Sequence, residues 1–205
     1  RRIVITGATG TIGMAMIGLC IRKGVEALIL CRKDSARAGR IPVHPLIRFR
    51  YCDLSQMKDW QPEEQESYDI FYHFAWAGTT GTARNDMYLQ NKNVEYTLDA
   101  IRLAGRLGCH TFIGAGSQAE YGRVEGKLNE NTPVRPENGY GIAKLCAGLM
   151  SREECRSLGM RHIWTRILSV YGPYDGENSV IMSSIQKLLR GEEPELTAGD
   201  QIWDY

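Results

Sequence analysis

The chain has no apolar run long enough to cross a bilayer and no surplus of either charge. Apolar stretches such as Ala27 to Cys31 and the one following Asp69, up to Ala77, fall far short of the roughly 20 residues a membrane helix needs. Lys and Arg number 25 against 24 Asp and Glu, a net charge of +1. A general nucleic-acid binder needs excess cations to neutralise phosphates, so that class is excluded. There are four histidines and six cysteines, Cys20, Cys31, Cys52, Cys109, Cys146 and Cys155. No CxxC pair occurs and no cysteine stands beside a histidine at zinc-ligand spacing, so no metal is expected. Most of these cysteines lie inside apolar runs, where a thiol behaves as a small buried hydrophobe. The reading is free thiols in a reducing, cytoplasmic compartment. Repeats, low-complexity tracts and a signal peptide are also lacking. The chain starts without Met and stops at Trp203-Asp204-Tyr205 in what reads as a strand, the pattern of an excised fragment.

What is present is ordinary globular composition: 205 residues, 43% hydrophobic and 24% charged, enough to bury a core in one domain with the start of a second. Short apolar runs at Ile3 to Thr6, Ala27 to Cys31, Ile47 to Tyr51, Ile70 to Ala75, Thr111 to Gly114 and Ile163 to Leu168 read as strands. Longer segments of helical period separate them: Thr11 to Lys23, Asp86 to Leu107, Gly141 to Leu158 and Val180 to Leu189. Glycines 24, 108, 159 and 191 close these helices. Strands alternating with helices, apolar on both faces, predict an α/β, Rossmann-like doubly wound parallel sheet. Loop-like stretches run from Lys33 to Pro45 and from Gly122 to Gly139.

Directly after the first strand comes Thr6-Gly7-Ala8-Thr9-Gly10-Thr11-Ile12-Gly13, a glycine-rich turn opening a helix. Gly7 permits the tight turn, Gly10 lets backbone approach a pyrophosphate, and Gly13 allows close helix–strand packing. The helix N-terminus supplies free N–H groups and the positive end of its dipole. The end of the second strand selects the cofactor: an acid there holds a ribose 2′-OH, an arginine a 2′-phosphate. Arg32 stands nineteen residues past Gly13, with Lys33 and Arg37 nearby. This favours NADP, with NAD as the alternative should Asp34 reach the ribose.

From these residues onward the chain resembles the extended short-chain dehydrogenase/reductase family, in particular its NAD(P)-dependent epimerase/dehydratase group acting on nucleotide-sugars. The match runs in order through Thr6 to Gly13, Cys52-Asp53-Leu54, His73 to Gly78, Gly116-Ser117-Gln118-Ala119-Glu120-Tyr121-Gly122 and Tyr140-Gly141-Ile142-Ala143-Lys144. Arg166 to Pro173 and Gly199 to Tyr205 look like entry to the family's substrate lobe. The resemblance implies a dinucleotide domain over 1–170 and a truncated substrate lobe over 171–205. It also implies that Asp53 and Leu54 border the adenine, and that Phe74, Ala75 and Ala77 line the nicotinamide ribose. Asn93 matches the family's asparagine after this strand, its alternative being an exposed polar helix position. Catalysis falls to Ser117, Tyr140 and Lys144. Residues four apart share a helix face, so the Lys144 ammonium is expected to lower the Tyr140 pKa toward working pH and fit it for acid–base work.

Departures narrow the reaction. The family's 4,6-dehydratases carry an acidic pair after the Ser/Thr, where Gln118 and Ala119 stand here. Glu120 would point to the opposite side of a continued strand. A keto-sugar reductase or an epimerase is therefore favoured over a dehydratase, and NADP leans toward the reductase. Ser169 replaces an asparagine that contacts the nucleotide-sugar in many members. His73 reads as a core or cofactor-lining residue, while Trp76 reads equally as substrate-facing or as packing. Asp175, Glu177 and Asn178 read as the N-terminal cap of the last helix, the alternative being a loop that caps the substrate cleft. Other readings are a reductase of a small non-nucleotide carbonyl compound and a non-catalytic dinucleotide-binding sensor or scaffold. By resemblance, a homodimer through the helices at 86–107 and 141–158 is expected.

Overall fold

The structure, a computed structural model, describes residues 1–63, 66–176 and 179–199. Its six strands are β1 (Arg2–Thr6), β2 (Glu26–Cys31), β3 (Ile47–Tyr51), β4 (Ile70–His73), β5 (Thr111–Ser117) and β6 (Arg161–Ile167). They form one sheet in the order β3-β2-β1-β4-β5-β6, every pairing parallel. The longer helices are α1 (Thr11–Lys23), α2 (Met87–Arg106), α3 (Gly139–Ser157) and α4 (Val180–Leu189). This is the Rossmann-like doubly wound sheet. Strand order reverses between β1 and β4, and ligands of such sheets bind outside the strand carboxyl ends at that switch point.

Both faces of the sheet are covered, which is why its central strands are apolar at consecutive positions. On one face Ile3, Ile5, Ala27, Ile29 and Cys31 pack with Ile17 and Cys20 of α1. On the other, Val4, Leu28, Leu30, Phe71 and Phe112 pack with Ala100, Ile101 and Ala104 of α2 and Cys155 of α3. Phe71 and Phe112 stack with centroids 5.8 Å apart, and each such buried side chain contributes about 1.5–3 kcal/mol. Edge strand β3 instead alternates Arg48 and Arg50 with Ile47 and Phe49, charges that discourage further strand pairing. All six cysteines are free thiols. Burial pushes Cys52 up to about 11 and Cys109 and Cys155 up to about 12. No helix among the described residues is long and apolar enough to cross a membrane.

Several boundaries differ from those expected. β4 ends at His73, not Ala75, because the Phe74 amide donates to the Thr6 carbonyl at 3.2 Å and the Ala75 amide to Thr6 Oγ1 at 3.4 Å. β5 runs on past Gly114 to Ser117, since a side chain at Gly114 or Gly116 would collide with the Trp164 indole on β6. α3 starts two residues before Gly141, capped by Asn138, which accepts from the Gly141 amide at 2.8 Å. The cap of α4 is Ser179, accepting from the Met182 amide, rather than Asp175. Glu177, Asn178 and residues 200–205 fall outside the described residues.

Candidate active site

The loop after β1 separates its three glycines by physical role. Gly7 has φ +70°, and a Cβ there would sit 2.5 Å from the Ala75 amide nitrogen. At Gly13 a Cβ would meet the Gly7 carbonyl oxygen at 2.5 Å. Both are required by the fold itself. Gly10 is not: its φ of −87° suits any residue, and its added Cβ would meet only the Gly7 oxygen, 3.7 Å away. Gly10 precedes α1, which has no side-chain cap and no acid in its first turn. The amides of Thr11, Ile12 and Gly13 therefore remain open to an anion. An open cradle over an uncapped helix fits a dinucleotide pyrophosphate. Thr9 forms the rim, its carbonyl accepting from Arg40 at 3.5 Å.

Arg32 follows β2 directly and pairs with Asp34 at 3.6 Å, both side chains exposed. Asp53 caps its own turn, accepting from the Ser55 amide at 3.0 Å, and Leu54 packs against the core. Across the switch point, α2 grips the loop after β4. Asn93, 1% exposed, accepts from the Ala77 amide at 2.9 Å and donates to the Ala77 carbonyl at 2.9 Å. Burial settles its placement against the exposed alternative. Gln90, equally buried, donates to the carbonyls of Gly78 and Ala83 and accepts from the Trp76 indole N–H at 2.9 Å. His73 bonds Thr6 Oγ1 at 2.9 Å. Burial, aided by Lys144, drives its pKa down to about 3, so the ring is neutral.

Ser117, Tyr140 and Lys144 come together beside this loop. A Cβ on Gly141 would strike the Ala119 carbonyl, and one on Gly139 would come within 3.0 Å of the Arg84 carbonyl. Two glycines thus let the start of α3 wedge between two turns and bring Tyr140 to Ser117. Burial raises the Tyr140 pKa, opposed by the neighbouring Ser117 and Arg84, the latter's guanidinium standing 4.2 Å from the ring centroid. The expected lowering by Lys144 is absent. The ammonium lies 5.8 Å from the Tyr140 centroid, turned onto Trp76 at 3.7 Å and donating to the Ala115 carbonyl at 2.6 Å. Burial pulls Lys144 down to about 7, with Glu120 opposing.

Glu120 is wholly buried behind Ser117. It accepts from the Ser117 amide at 2.8 Å, the Trp164 indole at 3.0 Å and Arg166 Nε at 2.8 Å. Its carboxylate is committed to fixing the end of β5 and does not line the cleft. The lining of that cleft, about 1170 Å³, includes Ser117, Gln118, Tyr140, Arg84 and Leu168, with one carboxylate among the described residues, that of Glu137, twenty residues after Ser117. The sequence reading left Gln90, Arg84, Glu120 and Trp164 without roles. Gln90, Asn93 and Thr97 form a polar stripe on one face of α2, a visible signal. Trp164 packs on Gly114, Gly116 and Gly148, a pattern spread over three elements that no local motif displays.

An uncapped glycine turn stands at the switch point of this doubly wound α/β sheet, with Ser117 and Tyr140 lining a cleft and Lys144 buried behind them. The model of the NAD dependent epimerase/dehydratase family matches residues 3–205, and the chain belongs to that family. UDP-glucose 4-epimerase of Streptococcus mutans serotype c is 26% identical over 175 residues, covering 83% of this chain and 52% of that protein. The dTDP-6-deoxy-L-talose 4-dehydrogenase (NAD(+)) of Aggregatibacter actinomycetemcomitans is 25% identical over 211 residues, covering 99% and 74%. A crystal structure of UDP-galactose 4-epimerase superposes with TM-score 0.77 at 26% identity, covering 93% of this chain and 63% of that one. The chain thus spans about half the length of the first of these relatives.

Proposed function

We propose that the protein is an NAD(P)-dependent oxidoreductase acting on a nucleotide-activated sugar by hydride transfer, as a keto-sugar reductase or an epimerase. One arrangement carries the reading: Ser117 and Tyr140 line the cleft with Lys144 buried one helical turn behind Tyr140, and neither position directly after Ser117 holds the carboxylate a dehydratase needs. Gln118 and Ala119 cannot act as acid or base, and Glu120 is held inward by three donors. The similar proteins named above, a UDP-sugar epimerase and a dTDP-deoxysugar dehydrogenase, support a nucleotide-sugar substrate. Residues from 171 onward are assigned to entry of the substrate lobe. Six free thiols suit a reducing cytoplasm, and pairing through α2 and α3 is assigned to a homodimer.

The glycine loop and the α1 amides would hold the pyrophosphate, with Phe74, Ala75 and Ala77 lining the nicotinamide side. When bound, the dinucleotide supplies or accepts a hydride at its nicotinamide ring. The chain's own task is the proton. With its pKa raised, Tyr140 stands as a phenol at neutral pH and can give its proton to an oxygen that gains charge as its carbon is reduced. Ser117 orients that oxygen, and Arg84 stabilises the phenolate left behind. Gln90 and Asn93 keep the β4 loop in place.

Arg32, with no acid at the end of β2, favours NADP. Fluorescence titration with NADPH and NADH, for wild type and Arg32→Ala, tests this. Tighter NADPH binding, lost selectively in the variant, is expected. NADH preferred, or NAD bound as purified, overturns the Arg32 assignment and moves the reading to an epimerase.

A further inference from the structure

Lys144 is 3% exposed, and an ammonium at that depth needs partners in place of water. From the backbone it has one, the Ala115 carbonyl at 2.6 Å. Its other neighbour is the face of Trp76, with the nitrogen 3.7 Å from the ring centroid, well inside cation–π range. Trp76 is itself fixed. Its indole N–H donates to Gln90 Oε1 at 2.9 Å, and the Gln90 amide is anchored on the carbonyls of Gly78 and Ala83 at 2.9 and 2.8 Å. The same indole meets Tyr140 edge to face, centroids 6.1 Å apart at 83°. One rigid aromatic therefore touches both members of the Tyr–Lys pair, from a loop and a helix that carry neither.

We propose that Trp76, held by Gln90, is a positioning residue for the Lys144 ammonium and the Tyr140 ring, serving as the platform that keeps the lysine charged and in place while buried. The inference rests on reading Tyr140 and Lys144 as the acid–base pair, but the platform is a physical arrangement that can be measured without turnover. A tryptophan here resolves the two readings left open by the sequence: its indole N–H faces α2, and its ring face is taken by Lys144. It also explains why Lys144 does not lie on Tyr140, its i−4 neighbour on the same helix. Groups facing the ammonium are Trp76 and His73 from β4 and its loop, Glu120 and the Ala115 carbonyl from β5 and the turn after it, and Tyr140 from its own helix.

The test is an NMR pH titration of the lysine side-chain CεH2 signals in the cofactor-free protein. The chain has seven lysines, few enough to resolve, and Lys144→Met assigns the relevant signal by its loss. Wild-type Lys144 is expected to titrate near 7. Trp76→Leu, which removes the ring, should lower that midpoint by about one pH unit. Trp76→Phe keeps an aromatic face and should recover about half of the shift, and Gln90→Leu, which frees the indole, should give a smaller shift in the same direction. With a sugar substrate in hand, Trp76→Leu should lower kcat about tenfold and leave KM within about twofold. A Lys144 midpoint unmoved in folded Trp76→Leu overturns the proposal. Should that variant fail to fold, an unmoved midpoint in both Trp76→Phe and Gln90→Leu does so. The titration needs no catalysis, so absence of turnover with every nucleotide-sugar would sink the proposed function and leave this inference standing or falling on its own result.

Discussion

Replacing Glu120 with leucine should destabilise the protein more than any exposed carboxylate change. The substitution strands three donors at once: the Ser117 amide, the Trp164 indole and the Arg166 guanidinium. Removing one member of a buried ion pair costs about 3–5 kcal/mol, because the other charge stays buried and unpaired. Arg166, however, is 30% exposed beside a wholly buried Glu120, so its charge can turn partly to water. The low end, about 3 kcal/mol, is therefore expected. For a chain of this size that lowers Tm by about 6–12 °C, readable by calorimetry or urea unfolding. Glu120→Gln keeps the shape and can still accept from Ser117 and Trp164, but sets its amide against Arg166, for a loss of about 1–2 kcal/mol. In a double-mutant cycle with Arg166→Met, a coupling of at least about 1 kcal/mol is expected. Glu120→Leu melting within about 2 °C of wild type would refute the reasoning.

The two glycines of the α1 turn should separate fold from function. Gly13→Ala overlaps backbone and should cost about 1–3 kcal/mol, whereas Gly10→Ala, with free space around it, should stay within about 1 kcal/mol yet bind dinucleotide at least about tenfold more weakly; equal effects of the two on stability would contradict this. Lys144 ordinarily titrates at 10.5 and here near 7, so between those values the unfolded chain holds a proton the folded one has released. Its contribution to stability thus rises with pH across that window, and the difference between wild-type and Lys144→Met unfolding curves should show a rise of a few kcal/mol. His73, held near 3 from an ordinary 6.5, acts lower: stability should fall as pH drops from 6.5 toward 3, less so in His73→Gln. Asn93→Leu strands the Ala77 amide and carbonyl and should cost about 1–3 kcal/mol, with faster amide exchange at Ala77.

Most of the fold was legible because its signals are local. The four helices could be placed from apolar period and closing glycines, and the glycine loop because a strand, a turn and a helix start are contiguous. The site was legible as far as its motifs reach, Ser117 and Tyr140-to-Lys144. What escaped is non-local. The Lys144 ammonium points at Trp76, 68 positions earlier in the chain, so helical spacing to Tyr140 could not reveal it. Glu120 gains its role only from Trp164 and Arg166, more than forty residues on. Asn93 could be read either way until burial showed which face of α2 meets the β4 loop.

The most direct test of hydride transfer at the Tyr140 centre is isotopic. The protein is given NADPH deuterated at nicotinamide C4 and a 4-keto nucleotide-sugar, and the sugar product is weighed by mass spectrometry. The account predicts a product one mass unit heavier than with unlabelled cofactor, formed at least about 100-fold more slowly by Tyr140→Phe. Turnover that leaves the sugar unlabelled, or labelling by Tyr140→Phe at the wild-type rate, would contradict it.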